Sequence, residues 1–258
     1  MSLANFLLAN APFTLPHHLY SFVEGQTPLS TNRAVFSSLA GYLALIFGIQ
    51  AALKHRPSCA HRINPLFQVY NLMVSTGSLL LLVLLLEEIA PLIWRDGIFA
   101  SICAETSWTP RMEFYYMVNY YFKYIEFLDT VFLAFKQKPL AFFHVFHHSA
   151  TALLCYSQLL GRTSISWTVI VLNLAIHVLM YYYYYATAGG ARLWLINTLL
   201  RHTTPAFFLT LATVLGLEER YSSAAGCSPL TSAHEKDSSK AKRKTNAVSK
   251  GSAANETS

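Results

Sequence analysis

The sequence predicts an all-α protein, a polytopic transmembrane helical bundle that is followed by a disordered basic C-terminal tail. Of its 258 residues, 53% are hydrophobic and only 12% are charged, whereas a soluble domain has about 25% charged residues. Several apolar runs reach the ~20 residues that a helix needs to cross the hydrocarbon core of a bilayer. None of these runs alternates apolar and polar residues as a half-buried strand does, and a helix satisfies its own backbone polar groups in lipid.

Five runs have the length of a membrane-spanning helix. The first two, 34–53 and 67–86, are almost wholly apolar. The next three contain ionisable side chains: 114–135, 140–160 and 165–187. A shorter run, 203–217, fits the end of a sixth helix that begins near Leu193. We therefore expect five to six helices within a transmembrane domain at residues 34–217.

Basic residues are concentrated in alternate loops. The loops after the first, third and fifth runs contain Lys54, Arg56, Arg62, Lys136, Lys138, Arg192 and Arg201. Because Lys and Arg in short loops favour the cytosolic side of a membrane, we expect these loops to face the cytosol and the N-terminal segment 1–33 to be lumenal. Residues 218–258 are rich in Ser, Ala and Lys, and this composition is typical of a disordered tail.

The first polar motif is KYIEFLDT at residues 123–130. An ionisable side chain at the middle of a membrane helix costs about 2.5–3.5 kcal/mol on insertion scales, so Lys123, Glu126 and Asp129 need a compensating role. Their spacing of three places them side by side on one helix face. Lys123 and Glu126 can form an ion pair toward the bundle interior, and a purely structural interhelical salt bridge is an equally good interpretation.

The second motif is HVFHH at residues 144–148. His144, His147 and His148 stand at positions i, i+3 and i+4, so all three can face one site. Neutral imidazole is a nucleophile, a base and a metal ligand. A single buried histidine is often a packing residue, but three within five residues of an apolar helix favour a functional site.

The third motif is NLAIHVLMYYYY at residues 173–184. Asn173, His177, Tyr181 and Tyr184 follow one another by four, four and three positions, which forms one stripe of a helix. His177 can therefore meet the HVFHH histidines across a helix interface. The alternative for the tyrosines is an anchoring role at the membrane surface, and Tyr182 and its off-stripe neighbour Tyr185 fit that alternative.

In this order and on successive helices, the three motifs resemble the signatures of the ELO family of fatty acid elongases, with the densest similarity over residues 114–192. The resemblance, which is strongest to fungal members, implies seven transmembrane helices, six of them around a closed tunnel, in the endoplasmic reticulum membrane. It implies a very-long-chain 3-oxoacyl-CoA synthase that condenses malonyl-CoA with a long-chain acyl-CoA, releases CO2 and CoA, and gives a 3-oxoacyl-CoA two carbons longer. Products of fungal members would supply sphingolipid synthesis.

The resemblance also implies roles for individual residues. His147 would form an acyl-imidazole, His177 would line the reaction centre, and His144 and His148 would position groups or move protons. The expected substrate-binding residues are Lys123, Glu126, Asp129, Asn173, Tyr181 and Tyr184 at the centre. Lys136, Lys138, Arg192 and Arg201 lie where CoA phosphates would sit, although each also fits simple positive-inside loop charge. We do not expect Cys155 to be the nucleophile, because apolar surroundings keep a thiol protonated.

No metal and no other cofactor is expected for the condensation. The expected partners, besides the two CoA substrates and membrane lipid, are the ketoreductase, dehydratase and enoyl reductase of the elongation cycle and a second copy of the chain in a homo-oligomer. No nucleic acid is expected.

The sequence departs from the family after WLINTLLRH, residues 194–202, where the usual C-terminal glutamine-containing motif and helix pair are not found. A truncated, inactive elongase-like subunit therefore remains an alternative. Two others are a membrane di-iron desaturase or hydroxylase, which also uses HxxHH but needs about eight boxed histidines, and a proton-conducting transporter, since buried charges mark proton relays.

Overall fold

The computed structural model describes residues 21–56, 60–98, 101, 108–140, 142–163, 165–194 and 196–200. Five long α-helices follow one another in this part of the chain: α1 (Asn32–Leu53), α2 (Ala60–Asp96), α3 (Pro110–Phe135), α4 (Phe142–Gly161) and α5 (Ser166–Ala188). No strand occurs among the described residues. The predicted all-α architecture is therefore confirmed.

Three of the helices are long and apolar enough to cross a membrane by length and composition, namely α1, α2 and α5. The other two, α3 and α4, contain the KYIEFLDT and HVFHH motifs. The ends of α1, α3, α4 and α5 lie within a few residues of the apolar runs in the sequence. Hydrophobic length therefore locates these four helices closely.

Helix α2 is much longer than its apolar run at 67–86. Its 37 residues correspond to about 55 Å at 1.5 Å per residue, against a hydrocarbon core of about 30 Å. It contains Pro65 and Pro91, each of which removes one backbone hydrogen bond. The residues between the apolar runs 67–86 and 114–135 are helical as far as Asp96, because an apolar run marks only the lipid-embedded part of a helix.

Two threonines define where helices begin. The Thr31 side chain accepts a hydrogen bond from Ala34 N at 3.4 Å, before α1. Thr109 accepts one from Met112 N at 3.2 Å, and Pro110 occupies the first turn of α3. A hydroxyl at the N-cap satisfies a backbone N–H that has no partner within the helix, and proline is well suited to the first turn.

Helix α3 is central to the bundle, since it packs against α1, α2, α4 and α5, while α2 packs most extensively against α5. Tyr42 of α1 stacks on Phe127 with ring centroids 4.2 Å apart, and its hydroxyl donates to Thr130 Oγ1 at 2.8 Å. Gly77 of α2 faces the Phe122 ring, which a Cβ atom would approach to 2.7 Å. A larger residue at this position would therefore displace the Phe122 ring of α3.

The ends of α1, α3 and α5 meet the start of α2, and we call this the basic end. Gln137 Nε2 donates to the carbonyls of Leu53 at 2.9 Å and Arg56 at 2.8 Å. Asn64 Nδ2 donates to the carbonyl of Ala188 at 2.9 Å, and Lys136 Nζ donates to Asn64 Oδ1 at 3.1 Å. The structure thus brings the three basic loops to one end of the molecule.

At the opposite end, residues 21–31 pack over the start of α3. Glu113 is the centre of this contact. Its Oε1 accepts from Ser21 Oγ and Phe22 N, both at 2.7 Å, and its Oε2 accepts from Trp108 Nε1 at 3.0 Å. The Tyr120 hydroxyl donates to the Leu29 carbonyl at 2.8 Å. We call this region the Glu113 end.

Several expectations fall outside the described residues. These are the run 203–217, Arg201, the tail 218–258 and positions 1–20 of the N-terminal segment. The domain boundaries, the sixth helix and the disordered tail therefore stay predictions.

Candidate functional site

The polar motifs of α3, α4 and α5 converge in the bundle interior. Lys123, Glu126, His148, Asn173 and His177 are each at most 5% exposed. They come from three helices, because the face of α3 that bears positions 123 and 126 is turned toward both α4 and α5. The structure therefore brings together residues from all three motifs.

Lys123 and Glu126 form a buried ion pair. Lys123 Nζ lies 2.8 Å from Glu126 Oε1 and 3.1 Å from Oε2. The ammonium also donates to Asn173 Oδ1 of α5 at 2.5 Å. An ion pair in a low-dielectric interior is maintained only when further hydrogen bonds satisfy both groups, and here Asn173 supplies one of them.

His177 completes this cluster from α5. Its Nδ1 lies 3.0 Å from Glu126 Oε1, in an oblique approach. Its Nε2 lies 3.2 Å from Asn173 Nδ2, one helical turn earlier. Both ring nitrogens are therefore next to polar atoms, although the side chain is only 2% exposed.

The HVFHH histidines lie near the start of α4. His148 is the most buried of the three, and its Nδ1 lies 4.0 Å from Glu126 Oε2. Its ring is 4.6 Å from that of His144 and 5.6 Å from that of His147. His144 and His147 are partly exposed, so a substrate has easier access to them than to His148.

A pocket opens between α3, α4 and α5 beside this cluster. It is lined by Asn119, Lys123, Thr151, Leu154, Cys155, Val169, Ile170 and Asn173. Lys123 and Asn173 are thus shared between the ion-pair cluster and the pocket wall. The remaining lining is mostly apolar, which limits the access of water to Lys123 and Asn173.

Asp129 and Tyr181 form a separate polar pair next to this cluster. The Tyr181 hydroxyl donates to Asp129 Oδ2, and both side chains are nearly fully buried. The Tyr181 ring also packs edge-on against His177, with centroids 5.4 Å apart. Tyr184 is only partly buried and packs against Tyr181 at 6.4 Å between ring centroids.

The basic residues expected to bind CoA phosphates lie at the basic end, apart from the histidines. Lys136 Nζ lies 3.5 Å from the centroid of the Phe67 ring, in addition to its bond with Asn64. Lys138 and Arg192 are exposed. The structure thus gives Lys136 contacts with α2 and leaves the other two open to solvent or a ligand.

Sequence reasoning did not single out Asn119 and Thr151, which line the pocket. Asn119 is 1% exposed, and its Nδ2 lies 3.4 Å from the sulfur of the buried Cys155. Thr151 donates to the backbone carbonyl of His147 at 2.9 Å. A signal was present, because Asn119 stands four residues before Lys123 and Thr151 stands four residues after His147, on the same helix faces.

Within the ranges that the structure describes, no group of three or more His, Cys, Asp or Glu side chains is arranged to hold a metal ion. The polar groups are arranged instead as a hydrogen-bonded acid–base cluster next to an apolar pocket.

Comparison with known proteins adds a family match. The model of the ELO family, described as GNS1/SUR4, matches residues 27–227. The chain is 42% identical over 175 residues to "Putative fatty acid elongase 1" of Schizosaccharomyces pombe, which covers 68% of this chain and 52% of that protein. It is 40% identical over 185 residues to "Putative fatty acid elongase 2" of the same yeast, covering 72% of this chain and 50% of that protein.

A more distant relative is "Fatty acid elongase sre1" of Dictyostelium discoideum, 32% identical over 193 residues, with 74% of this chain and 70% of that protein covered. The chain spans about half the length of the two yeast relatives that it matches.

Proposed function

The chain belongs to the ELO family, GNS1/SUR4, and from this premise we propose that it is a condensing enzyme of fatty acid elongation. The substrates are malonyl-CoA and a long-chain acyl-CoA, and the product is a 3-oxoacyl-CoA two carbons longer. This makes the chain a very-long-chain 3-oxoacyl-CoA synthase, an acyltransferase that needs neither a metal nor another cofactor. The single observation that carries the proposal is the convergence of the three motifs on one buried site.

The reaction proceeds in two steps. A neutral imidazole nitrogen of His147 attacks the thioester carbonyl, the C–S bond breaks, and CoA leaves as a thiolate that takes up a proton. Malonyl-CoA then loses CO2, and the electron pair released forms a C–C bond to the acyl carbonyl while the imidazole leaves. One proton is consumed overall, in the formation of free CoA.

Two side chains next to the interior are candidate nucleophiles, His147 and Cys155, and His147 is the better one. It is partly exposed next to the site, and Thr151 holds its backbone carbonyl. Cys155 is 8% exposed, with Asn119 next to its sulfur, and a thiol in apolar surroundings stays protonated and unreactive. His144 and His148 position His147 or move protons.

The second step needs donors that stabilise an enolate. Lys123 and Asn173 border the pocket, and Tyr181 and Tyr184 lie farther along the same stripe of α5. Glu126 and Asp129 hold these donors in place. At the basic end, Lys138 and Arg192 are accessible to CoA phosphates, and Lys136 adds positive charge beside them.

The proposed cellular setting follows from the family. The enzyme is a multi-pass protein of the endoplasmic reticulum membrane, where the ketoreductase, dehydratase and enoyl reductase of the cycle process its product, and its products feed sphingolipid synthesis. In this membrane the chain associates with further copies of itself into a homo-oligomer.

The test is incorporation of radiolabelled malonyl-CoA by microsomes that express the chain, over a series of acyl-CoA lengths. His147→Ala is expected to abolish incorporation. The matched control is Phe146→Ala on the same helix, because Phe146 is 53% exposed on the outer face and its loss should leave incorporation unchanged. Incorporation that survives His147→Ala, or none from membrane-inserted wild-type protein, would refute the proposal.

A further inference from the structure

Lys123, Asn173, His177 and Glu126 form a closed ring of polar contacts. Lys123 Nζ contacts Asn173 Oδ1 at 2.5 Å, Asn173 Nδ2 lies 3.2 Å from His177 Nε2, and His177 Nδ1 lies 3.0 Å from Glu126 Oε1. The same Glu126 Oε1 lies 2.8 Å from Lys123 Nζ, which closes the ring. All four side chains are at most 5% exposed, so water does not compete for these contacts.

The donors and acceptors of the ring are assigned from its two charged members, the Lys123 ammonium and the Glu126 carboxylate. An ammonium has only donors, so the oxygen of the Asn173 amide faces Lys123. The NH2 group of the same amide must then face His177, and Nε2 must accept from it. A carboxylate is an acceptor only, so the ring hydrogen of His177 lies on Nδ1, opposite Glu126.

We propose that this ring holds His177 as the neutral tautomer with its hydrogen on Nδ1, and that Glu126 and Asn173 are positioning residues for that imidazole. With Lys123 as an ammonium and Glu126 as a carboxylate, no other assignment of hydrogens gives each of the four groups a complementary partner. Placing the hydrogen on Nε2 would set two donors, His177 Nε2–H and Asn173 Nδ2–H, against each other at 3.2 Å.

The ring also implies different roles for His147 and His177 in catalysis. This implication rests on the proposed condensing function. Both nitrogens of His177 are engaged, so acylation at Nε2 would first have to break the bond to Asn173. His147 is not a member of the ring. In the proposed reaction the acyl group is carried by His147, while His177 is held in one tautomer by Asn173 and Glu126.

Asn173→Asp is the substitution that tests the ring most sharply. It is nearly isosteric, but it replaces the NH2 group that faces Nε2 with a second acceptor oxygen. The new carboxylate keeps Lys123 as a partner and favours a hydrogen on Nε2. With Glu126 still opposite Nδ1, His177 should then carry hydrogens on both nitrogens.

The readout is the nitrogen-15 spectrum of histidine-labelled full-length protein in lipid bilayers. The His177 signals are identified by their loss in His177→Gln. We expect Nδ1 protonated and Nε2 unprotonated in the wild-type protein, and both protonated in Asn173→Asp. A wild-type His177 with its hydrogen on Nε2, or with two hydrogens, would overturn the proposal, and so would a spectrum that Asn173→Asp leaves unchanged.

This measurement does not depend on turnover. If the wild-type chain consumed no malonyl-CoA, the condensing function would fail while the spectra would still decide whether the ring fixes the tautomer. If the chain is active and the spectra show the other tautomer, the ring fails while the function stands.

Discussion

Helix α3 contains two buried glutamates thirteen residues apart, Glu113 and Glu126, which are 5% and 0% exposed. Glu113 is surrounded by groups that do not titrate near neutral pH, namely a serine hydroxyl, a backbone N–H and an indole N–H, with Arg162 at 3.9 Å. Glu126 instead contacts Lys123, His148 and His177. One carboxylate fastens a chain segment, and the other organises groups that can exchange protons.

Burial of a charge therefore does not by itself indicate catalysis. Both carboxylates are buried and satisfied, but only Glu126 lies next to a pocket wall and to imidazoles. The chemical identity of the partners separates the two regions, and substitutions at the two positions should affect different properties of the protein.

The largest effect is expected from Glu126→Gln. Glu126 Oε1 lies 2.8 Å from Lys123 Nζ and 3.0 Å from His177 Nδ1, so the amide oxygen would take this position and the amide NH2 would replace Oε2, 3.1 Å from the ammonium. Two donors would then oppose each other, and the buried Lys123 would lose its counter-charge. We expect kcat for malonyl-CoA condensation to fall by about 100-fold or more, the size of a typical acid–base contribution, with KM for both CoA substrates changed little.

The conservative variant controls for lost charge balance. Glu126→Asp keeps the carboxylate and should retain activity within about tenfold of the wild type, which is a barrier change of about 1.4 kcal/mol. If Glu126→Gln and Glu126→Asp proteins of equal membrane insertion were equally active, Glu126 would have a structural role, as Glu113 has.

A smaller effect, on thermal stability, is expected when Asp129, the third buried carboxylate of α3, loses its hydrogen-bond donor. Tyr181→Phe removes the hydroxyl that donates to Asp129 but keeps the ring contact with His177. Leaving a buried polar group without its partner costs about 1–3 kcal/mol, so the thermal midpoint in detergent should fall. Tyr182→Phe is the control, because Tyr182 is 47% exposed. Equal midpoints for the two variants would contradict the placement of Asp129.

At the Glu113 end, Glu113→Gln should change stability rather than chemistry. The new amide NH2 would compete with the Trp108 N–H or the Ser21 and Phe22 donors, and we expect a loss of about 2 kcal/mol. Protease cleavage within residues 21–31 of the purified protein should accelerate. The condensation rate should stay within about threefold of the wild-type rate, a barrier change well below the ~1.4 kcal/mol of a tenfold effect. Loss of activity at unchanged stability would break the contrast between the two glutamates.

The smallest effect is expected from Tyr156→Phe. The Tyr156 hydroxyl lies 2.9 Å from Asn32 Oδ1 and 3.3 Å from the Ser30 carbonyl. Losing one neutral hydrogen bond costs about 1 kcal/mol, so the thermal midpoint should fall less than in Glu113→Gln. A larger fall than in Glu113→Gln would mean that Tyr156, not Glu113, fastens this segment.

The sequence predicts the features of the molecule that depend on local spacing. Apolar length locates four helices closely, and positions 123 and 126 meet because residues three apart share a helix face. The stripe Asn173, His177, Tyr181 likewise predicts that these side chains face one interior. Each of these features depends on the geometry of one helix at a time.

What the sequence does not predict depends on contacts between distant segments. Glu113 meets Ser21 across 92 positions, and Lys123 meets Asn173 across 50. No spacing rule indicates which face of α5 lies opposite Lys123, so the closed ring is visible only in three dimensions. The sequence also does not predict the length of α2, because hydropathy indicates which residues lie in the hydrocarbon core and not where the helix ends.

The most direct measurement of the central claim is a single-turnover trap with radiolabelled acyl-CoA and purified protein in the absence of malonyl-CoA. We predict release of up to one equivalent of CoA and label retained on the peptide that contains His147, with neither in His147→Ala. Release of CoA only after malonyl-CoA is added, or label on Cys155, would contradict the acyl-imidazole on His147.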